Sequence, residues 1–247
     1  DTQSPLDSLL LTQESLAPLI DLSNPLTKTS SLPLTTQDLA IIEQIGNSLK
    51  NRKLKGYKQL DMEYLLSLPP EEIDVSTALL LSLYPKKEQS LERQKYLAIL
   101  DLMALQIRAQ LSQDPKPEDT INAINTLIFE KLNYRFPPHA EWIENIDVYT
   151  FLPSVMDSRK GVCLGISTLY ICLAQRLGMK LEMITPPGHI FVRFNSPEKI
   201  INIETTARGI HIHSDEYLSL NTRFLPLRDE KQVVGLTFFN QASVYFQ

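Results

Sequence analysis

Residues 162–177 constrain the fold more than any other part of this chain. They form a helical pattern that is apolar on most of its circumference. Its apolar positions are Leu164, Ile166, Leu169, Tyr170, Leu173, Ala174 and Leu177. A helix that is apolar nearly all round is buried, so the rest of the chain has to be built around it. Gly161 precedes this run, and Gly178 ends it.

The segments on either side of this helix differ in character. Three short segments with apolar residues at alternating positions follow it, which predicts strands at 181–184, 190–194 and 199–205. Helical periodicity dominates before it. The helices predicted there are 36–49, 62–68, 75–84, 91–111 and 118–132. The sequence therefore predicts an α+β fold, with an N-terminal helical block followed by a buried helix and a small sheet.

Charge and hydropathy argue against two classes of partner. The 247 residues include 24 Lys and Arg against 29 Asp and Glu, a net charge of −5. This acidic balance disfavours nucleic acid and anionic membranes. No run of about 18 apolar residues is present, so the sequence predicts no membrane-spanning helix.

The two cysteines, Cys163 and Cys172, cannot form a disulfide while they share one helix. Their helical spacing separates them by roughly 13 Å along the axis. A disulfide needs Cα atoms within about 7 Å of each other. Free thiols are typical of a reducing compartment, so we expect a cytoplasmic protein. The chain starts at Asp1 without a methionine, so we also expect a processed or shortened N terminus.

Cys163 is the candidate nucleophile. It lies in the first turn of the buried helix, where unpaired backbone N–H groups and the helix dipole stabilise an anion. Arg159 and Lys160 lie just upstream and would add to this effect. The alternative is that Cys163 is a small apolar packing residue, as free cysteines usually are. Cys172, on the opposite face of the helix, is interpreted as such a packing residue.

Three polar residues follow that could complete a catalytic triad. His189 comes after Pro-Pro-Gly at the start of a strand, where it could act as a base. Asn202 and Glu204 alternate with apolar residues on the next strand, so both point to one face and compete for the role of orienting the histidine. The alternatives are a half-exposed loop histidine and polar residues on a solvent-facing strand.

Two other motifs are weaker. Gly161-Val-Cys163-Leu-Gly165 has the outline of a nucleophile elbow. An elbow follows an apolar strand, and its acid precedes its histidine, whereas here the preceding residues are polar and the acid follows the histidine. His211 and His213, with Asp215 nearby, resemble half of a metal site, and spacing alone is weak support for one. We therefore expect neither a metal nor a cofactor.

The order of thiol, histidine and acid is that of papain-like and transglutaminase-like cysteine folds. Residues 121–209 resemble the transglutaminase-like core of a family of bacterial proteins, many of which carry tetratricopeptide repeats after it. The matching segments are 125–129, 149–152, 155–178, 187–189 and 202–206. With the preceding helical block, which looks like the family's N-terminal region, the resemblance covers roughly residues 40–210. It implies a papain-like core in which the buried helix packs on a small antiparallel sheet.

The resemblance also implies roles for the candidate residues. Cys163 would be the nucleophile, His189 the base and Glu204 the orienting acid, at a position usually held by the shorter aspartate. Asn202 would be the papain-style substitute for that acid. The chain has Tyr149-Thr150 where the family is expected to carry Asn-Ser, so the side-chain donor of an oxyanion hole is unassigned. The backbone N–H of Cys163 would supply the other donor.

Composition and resemblance together divide the chain into four parts. Residues 1–36 are rich in Ser, Thr, Pro, Leu and Gln, which predicts a loosely structured arm. Residues 37–112 form the helical block, and residues 113–228 form the transglutaminase-like core. Residues 229–247 look like the first helix of a tetratricopeptide repeat, which leads us to expect a fragment of a longer protein.

Two functions are compatible with these observations. In the first, the protein is a cysteine hydrolase or acyltransferase that acts on an amide of a protein or peptide, as a peptidase, deamidase or transglutaminase. In the second, it is an inactive transglutaminase-like protein-interaction module, since many members of the family lack the cysteine. The joint presence of Cys163, His189 and Glu204 favours the first.

Overall fold

A computed structural model describes residues 34–138, 146–212 and 225–245. Its N-terminal part consists of α-helices whose connections include short 3-10 helices. In chain order the α-helices are α1 (Thr36–Gly46), α2 (Met62–Ser67), α3 (Val75–Leu83), α4 (Ser90–Arg108) and α5 (Pro117–Asn125). The carboxylates of Asp61 and Asp74 accept hydrogen bonds from backbone N–H groups at the starts of α2 and α3. Such caps satisfy donors that have no partner within the helix and so fix where it begins.

The helix predicted at 118–132 changes its winding part-way. The α-helix ends at Asn125, and Thr126–Lys131 is a π-helix. The N–H of Leu132 accordingly donates to the carbonyl of Leu127, five residues back, at 2.9 Å. The spacing of apolar residues predicted the helix, but it did not reveal this wider turn, which is rare.

The buried helix predicted at 162–177 is present as α7 (Cys163–Leu177), and the shorter α6 (Leu152–Ser158) precedes it. Gly165 lies where α7 crosses the backbone at Tyr149, because a Cβ atom there would be 2.2 Å from the Tyr149 carbonyl oxygen. Gly178 ends the helix in the left-handed conformation, with φ at +80°.

Within the described residues the sheet has five strands, and each pair of neighbours is antiparallel. They are β1 (Glu182–Ile184), β2 (Phe191–Asn195), β3 (Ile200–Glu204), β4 (Ile210–Ile212) and β5 (Leu227–Arg228). Their order is β4-β3-β2-β1-β5. The sequence predicted β1 to β3, whereas β4 and β5 are too short to show an alternating pattern. The predicted α+β fold, with α7 packed on a small antiparallel sheet, is confirmed.

The last described helix, α8 (Glu230–Tyr245), returns to the helical block. It packs on α3, with Val233 and Val234 buried in the common core. The side chains of Ser82 on α3 and Gln241 on α8 lie within hydrogen-bonding distance, at 3.3 Å. These contacts hold α8 in a fixed position against the rest of the molecule.

A buried polar network joins α7 to the helical block. Arg176, near the end of α7, is fully buried. Its Nε donates to Asp101 Oδ1 on α4 at 2.8 Å, and its Nη1 donates to the Ser76 hydroxyl on α3 at 3.1 Å. Arg52 donates to the other oxygen of Asp101. Because Arg176 is paired with the carboxylate of Asp101, its burial is tolerated.

Some predictions fall on residues outside the described ranges. They include nearly all of the N-terminal arm, together with His213 and Asp215. Within the ranges that are described, no helix is both long and apolar enough to cross a bilayer.

Candidate active site

Cys163 is the first residue of α7, as the sequence predicted. The loop before it is held by backbone hydrogen bonds to two other segments. Gly161 N–H donates to the Arg135 carbonyl at 3.1 Å, and Val162 N–H donates to the Tyr149 carbonyl at 3.2 Å. The thiol is partly exposed. The fold thus fixes a partly exposed sulfur at the N-terminus of a buried helix, where the helix dipole favours an anion.

His189 contacts both remaining members of the predicted triad. It follows Gly188, whose φ of +73° forms the turn that leads into β2. Hydrogen bonding to the Cys163 thiol and to Glu204 raises the pKa of His189 to about 9, against the opposing effect of burial. Its Nε2 lies 2.7 Å from Glu204 Oε2, so Nδ1 is the ring nitrogen left for the thiol.

Glu204 is the last residue of β3 and is buried. While Oε2 faces His189, Oε1 accepts hydrogen bonds from Thr206, at 3.0 Å from its backbone N–H and 2.6 Å from its hydroxyl. Burial raises the pKa of the Glu204 carboxyl, but the bonds from His189 and Thr206 outweigh it and hold the pKa below its ordinary value. The carboxylate is therefore ionised at neutral pH and accepts a hydrogen bond from the ring.

Asn202 does not reach His189. Its Oδ1 accepts a hydrogen bond from Arg193 Nε at 2.7 Å, and its Nδ2 donates to the Ile212 carbonyl at 3.3 Å. It shares a strand face with Glu204, but two residues of strand put it about 7 Å further along β3. Of the two residues that competed for the orienting role, the structure brings Glu204 and not Asn202 to the histidine.

The remaining thiol, Cys172, and the other histidine that the structure describes, His211, have structural contacts. Cys172 is fully buried, and burial raises the pKa of its thiol to about 12. No disulfide joins it to Cys163. The Nδ1 of His211 lies 3.0 Å from the Asn202 carbonyl oxygen. Among the residues that the structure describes, no three His, Cys, Asp or Glu side chains cluster in a way that could hold a metal ion.

One buried contact that sequence reasoning missed ties the thiol helix to the acid strand. The hydroxyls of Ser167, one turn after Cys163 on α7, and Thr205, next to Glu204, lie 2.9 Å apart. Both residues are almost fully buried. Together with Thr206, this pair keeps the nucleophile and the acid at a fixed separation. The Thr-Thr pair directly after Glu204 was the one sequence signal for it.

Comparison with known proteins agrees with this geometry. A family model described as the transglutaminase-like superfamily matches residues 94–228, more than half of the chain. The chain belongs to the transglutaminase-like superfamily. The matched residues include α7 and all five strands, and therefore Cys163, His189 and Glu204. The resemblance inferred from the sequence is confirmed.

Individual relatives of this transglutaminase-like chain are distant. UPF0162 proteins from two strains of Xylella fastidiosa, Temecula1 and 9a5c, are each 26% identical to it over 144 residues. That alignment covers 58% of this chain and 49% of theirs. The chain thus spans about half the length of the curated relatives it matches. No solved structure gives a significant match.

The protein has a cavity of about 680 Å³ at the candidate triad. Cys163 and His189 both line it, whereas Glu204 lies behind the histidine. Thr150, whose role the sequence left open, is part of the wall. A molecule in this cavity would meet the thiol and the imidazole together, which is what nucleophilic catalysis requires.

Proposed function

We propose that this protein is a cysteine hydrolase or acyltransferase that acts on an amide of a protein or peptide. The observation that carries the proposal is the double contact of His189, with the thiol of Cys163 and with the carboxylate of Glu204. A base that touches the nucleophile and is oriented by a third group is the arrangement that activates a weak nucleophile.

In the proposed mechanism Cys163 starts as a thiolate beside the protonated ring of His189. A pKa of about 9 keeps this ring protonated at neutral pH. The sulfur attacks the carbonyl carbon of the amide and forms a C–S bond. His189 Nδ1 then gives its proton to the leaving nitrogen as the C–N bond breaks, which leaves a thioester and a neutral imidazole.

Release of the acyl group reverses the roles. Water or an amine attacks the thioester carbon, and the neutral His189 takes the proton that this nucleophile loses. The C–S bond breaks, and the thiolate and the protonated ring are restored. Glu204 keeps the ring oriented and stabilises its positive charge throughout. We propose the N–H of Cys163 and the hydroxyl of Thr150 as donors to the oxyanion.

The first test is the alkylation rate of each cysteine by iodoacetamide as a function of pH, measured on the native protein by site-resolved mass spectrometry. We expect Cys163 to react much faster than an unactivated thiol, because a neighbouring imidazolium and a helix N-terminus favour the reactive anion. The fully buried Cys172 serves as an internal control and should stay protected.

Two histidine variants show whether the alkylation rate of Cys163 depends on His189 specifically. His189→Ala should slow alkylation of Cys163 about tenfold or more near pH 7, because the thiolate loses its counter-ion. His211→Ala removes a histidine that contacts the backbone of β3, and should leave the rate unchanged. A wild-type Cys163 that reacts no faster than an unactivated thiol would favour the interaction module instead.

A further inference from the structure

One wall of the Cys163 cavity comes from outside the matched superfamily region. The match ends at residue 228, and α8 begins at Glu230. Asn240 on α8 lines the cavity together with Cys163 and His189. The C-terminal helix therefore contributes to the candidate site, a contribution that the resemblance did not include.

The position of Asn240 is well fixed. On the same side of α8, Val233 and Thr237 are buried, and Gln241 lies within hydrogen-bonding distance of Ser82 on α3. Within the helix, Asn240 Nδ2 donates to the Leu236 carbonyl at 3.0 Å, which restrains the side-chain rotamer. A carboxamide held in this way presents its hydrogen-bonding groups at a fixed place in the wall.

The rest of the cavity wall is mainly apolar. Phe136, Val162, Leu164 and Ile190 line it. Among the described residues of the wall, no side chain carries a charge apart from the catalytic pair of Cys163 and His189. A charged group that entered would lose hydration without gaining a dedicated counter-ion, whereas an apolar group would gain from leaving water.

We infer that this cavity binds an apolar side chain of a peptide substrate and that Asn240 binds the peptide backbone. Apolar walls with a few fixed polar groups are typical of sites in which the polar groups orient the ligand. A carboxamide can donate to a peptide carbonyl and accept from a peptide N–H. The inference rests on the proposed function, since the peptide is the acyl donor to Cys163.

The test uses acetylated dipeptide vinyl sulfones that carry Leu, Gln, Glu or Lys next to the reactive group. The thiolate adds to the double bond, and the adjacent carbon takes up a proton, so labelling of Cys163 is read directly by mass spectrometry. We expect the Leu probe to label at least about tenfold faster than the Glu and Lys probes. Equal rates for all four side chains would overturn the inference.

Variants of Asn240 test the second half of the inference. Asn240→Ala should slow the Leu probe about three- to tenfold, because one hydrogen bond is lost. Phe239→Ala is the matched control, since Phe239 is 75% exposed and does not line the cavity. Asn240→Asp places a carboxylate in the wall and should raise the Lys rate relative to the Leu rate. Asn240 variants that behave like wild type would refute its role.

The two proposals fail in different ways. If Cys163 reacts rapidly with iodoacetamide but prefers a charged dipeptide probe, or reacts with none of the probes, the activated thiol is supported. The binding of an apolar side chain in the cavity is then contradicted. A Cys163 that is slow with iodoacetamide contradicts the proposed function itself, and the inference with it.

Discussion

The two carboxylate oxygens of Glu204 serve different partners. Oε2 faces His189, while Oε1 accepts two hydrogen bonds from Thr206. A glutamate has one more rotatable bond than the aspartate that the resemblance led us to expect at this position, and the hydrogen bonds from Thr206 restrain this extra freedom. The longer side chain thereby reaches the histidine in a defined geometry.

Glu204→Gln tests whether the negative charge of the carboxylate stabilises the protonated form of His189. The change keeps the size of the side chain and removes its negative charge, so the protonated form of His189 loses part of its stabilisation. We expect the pKa of His189 to fall from about 9 towards its ordinary value of 6.5, as followed by NMR titration of the ring.

A surface variant serves as a control for removing a negative charge at a site away from His189. Glu118→Gln removes an exposed partner of Lys199 and should leave the titration of His189 unchanged. A His189 pKa that stays near 9 in Glu204→Gln would show that the carboxylate is not what sustains it.

At the scale of elements, the crossing of α7 with the Tyr149 backbone determines where the Cys163 sulfur lies. Gly165 makes this close crossing possible, because a Cβ atom would also lie 2.8 Å from Val155 Cγ2. The crossing is one turn or less from Cys163, so it positions the start of the helix. A change that pushed α7 away here would move the sulfur relative to His189.

Gly165→Ala should therefore destabilise the protein, by at least about 2 kcal/mol in urea unfolding, because overpacking against backbone cannot be relieved by a rotamer change. Gly235→Ala is the matched control in α8, where a Cβ atom would meet nothing within 4 Å. It should stabilise the protein by about 0.5 to 1 kcal/mol, since alanine is the better helix residue. If the two changes altered the free energy of unfolding equally, the close crossing of α7 and the Tyr149 backbone would be contradicted.

The sequence predicted those elements whose signal is local. The buried helix and strands β1 to β3 showed their apolar periodicity, and Cys163, His189 and Glu204 are residue types that stand out by their chemistry. Strands β4 and β5 pair over only two or three residues, which is too short to show an alternating pattern. The π-helix depends on packing, so the spacing of apolar residues does not reveal it. The presence of Asn240 in the cavity wall depends on how α8 folds back, which no local pattern encodes.

At the scale of the whole molecule, the helical block and the sheet share one core with α7 between them. At its C-terminal end α7 is bound to the helical block, through Arg176 and through Gln175, whose side chain bonds to the backbone of Ile73 and Val75. At its N-terminal end it carries Cys163 opposite the sheet. The relative position of the two halves thus determines the geometry of the candidate triad.

Asp101→Asn tests this connection. The variant leaves the buried Arg176 without its counter-charge, which should cost about 3 to 5 kcal/mol of unfolding free energy, measured in urea. Glu92→Gln on the same helix removes an exposed partner of Lys95 and should change stability by less than about 1 kcal/mol. A small effect of Asp101→Asn would mean that Arg176 is compensated elsewhere.

The same network limits how the protein can be shortened for expression or crystallisation. A fragment that began at residue 113 would keep Arg176 and Gln175 but lose Asp101, Ser76 and the backbone to which Gln175 binds. In such a fragment the C-terminal end of α7 would carry an unneutralised guanidinium at a newly uncovered surface. The smallest autonomous unit that retains the candidate site must therefore begin before Ile73, which precedes α3.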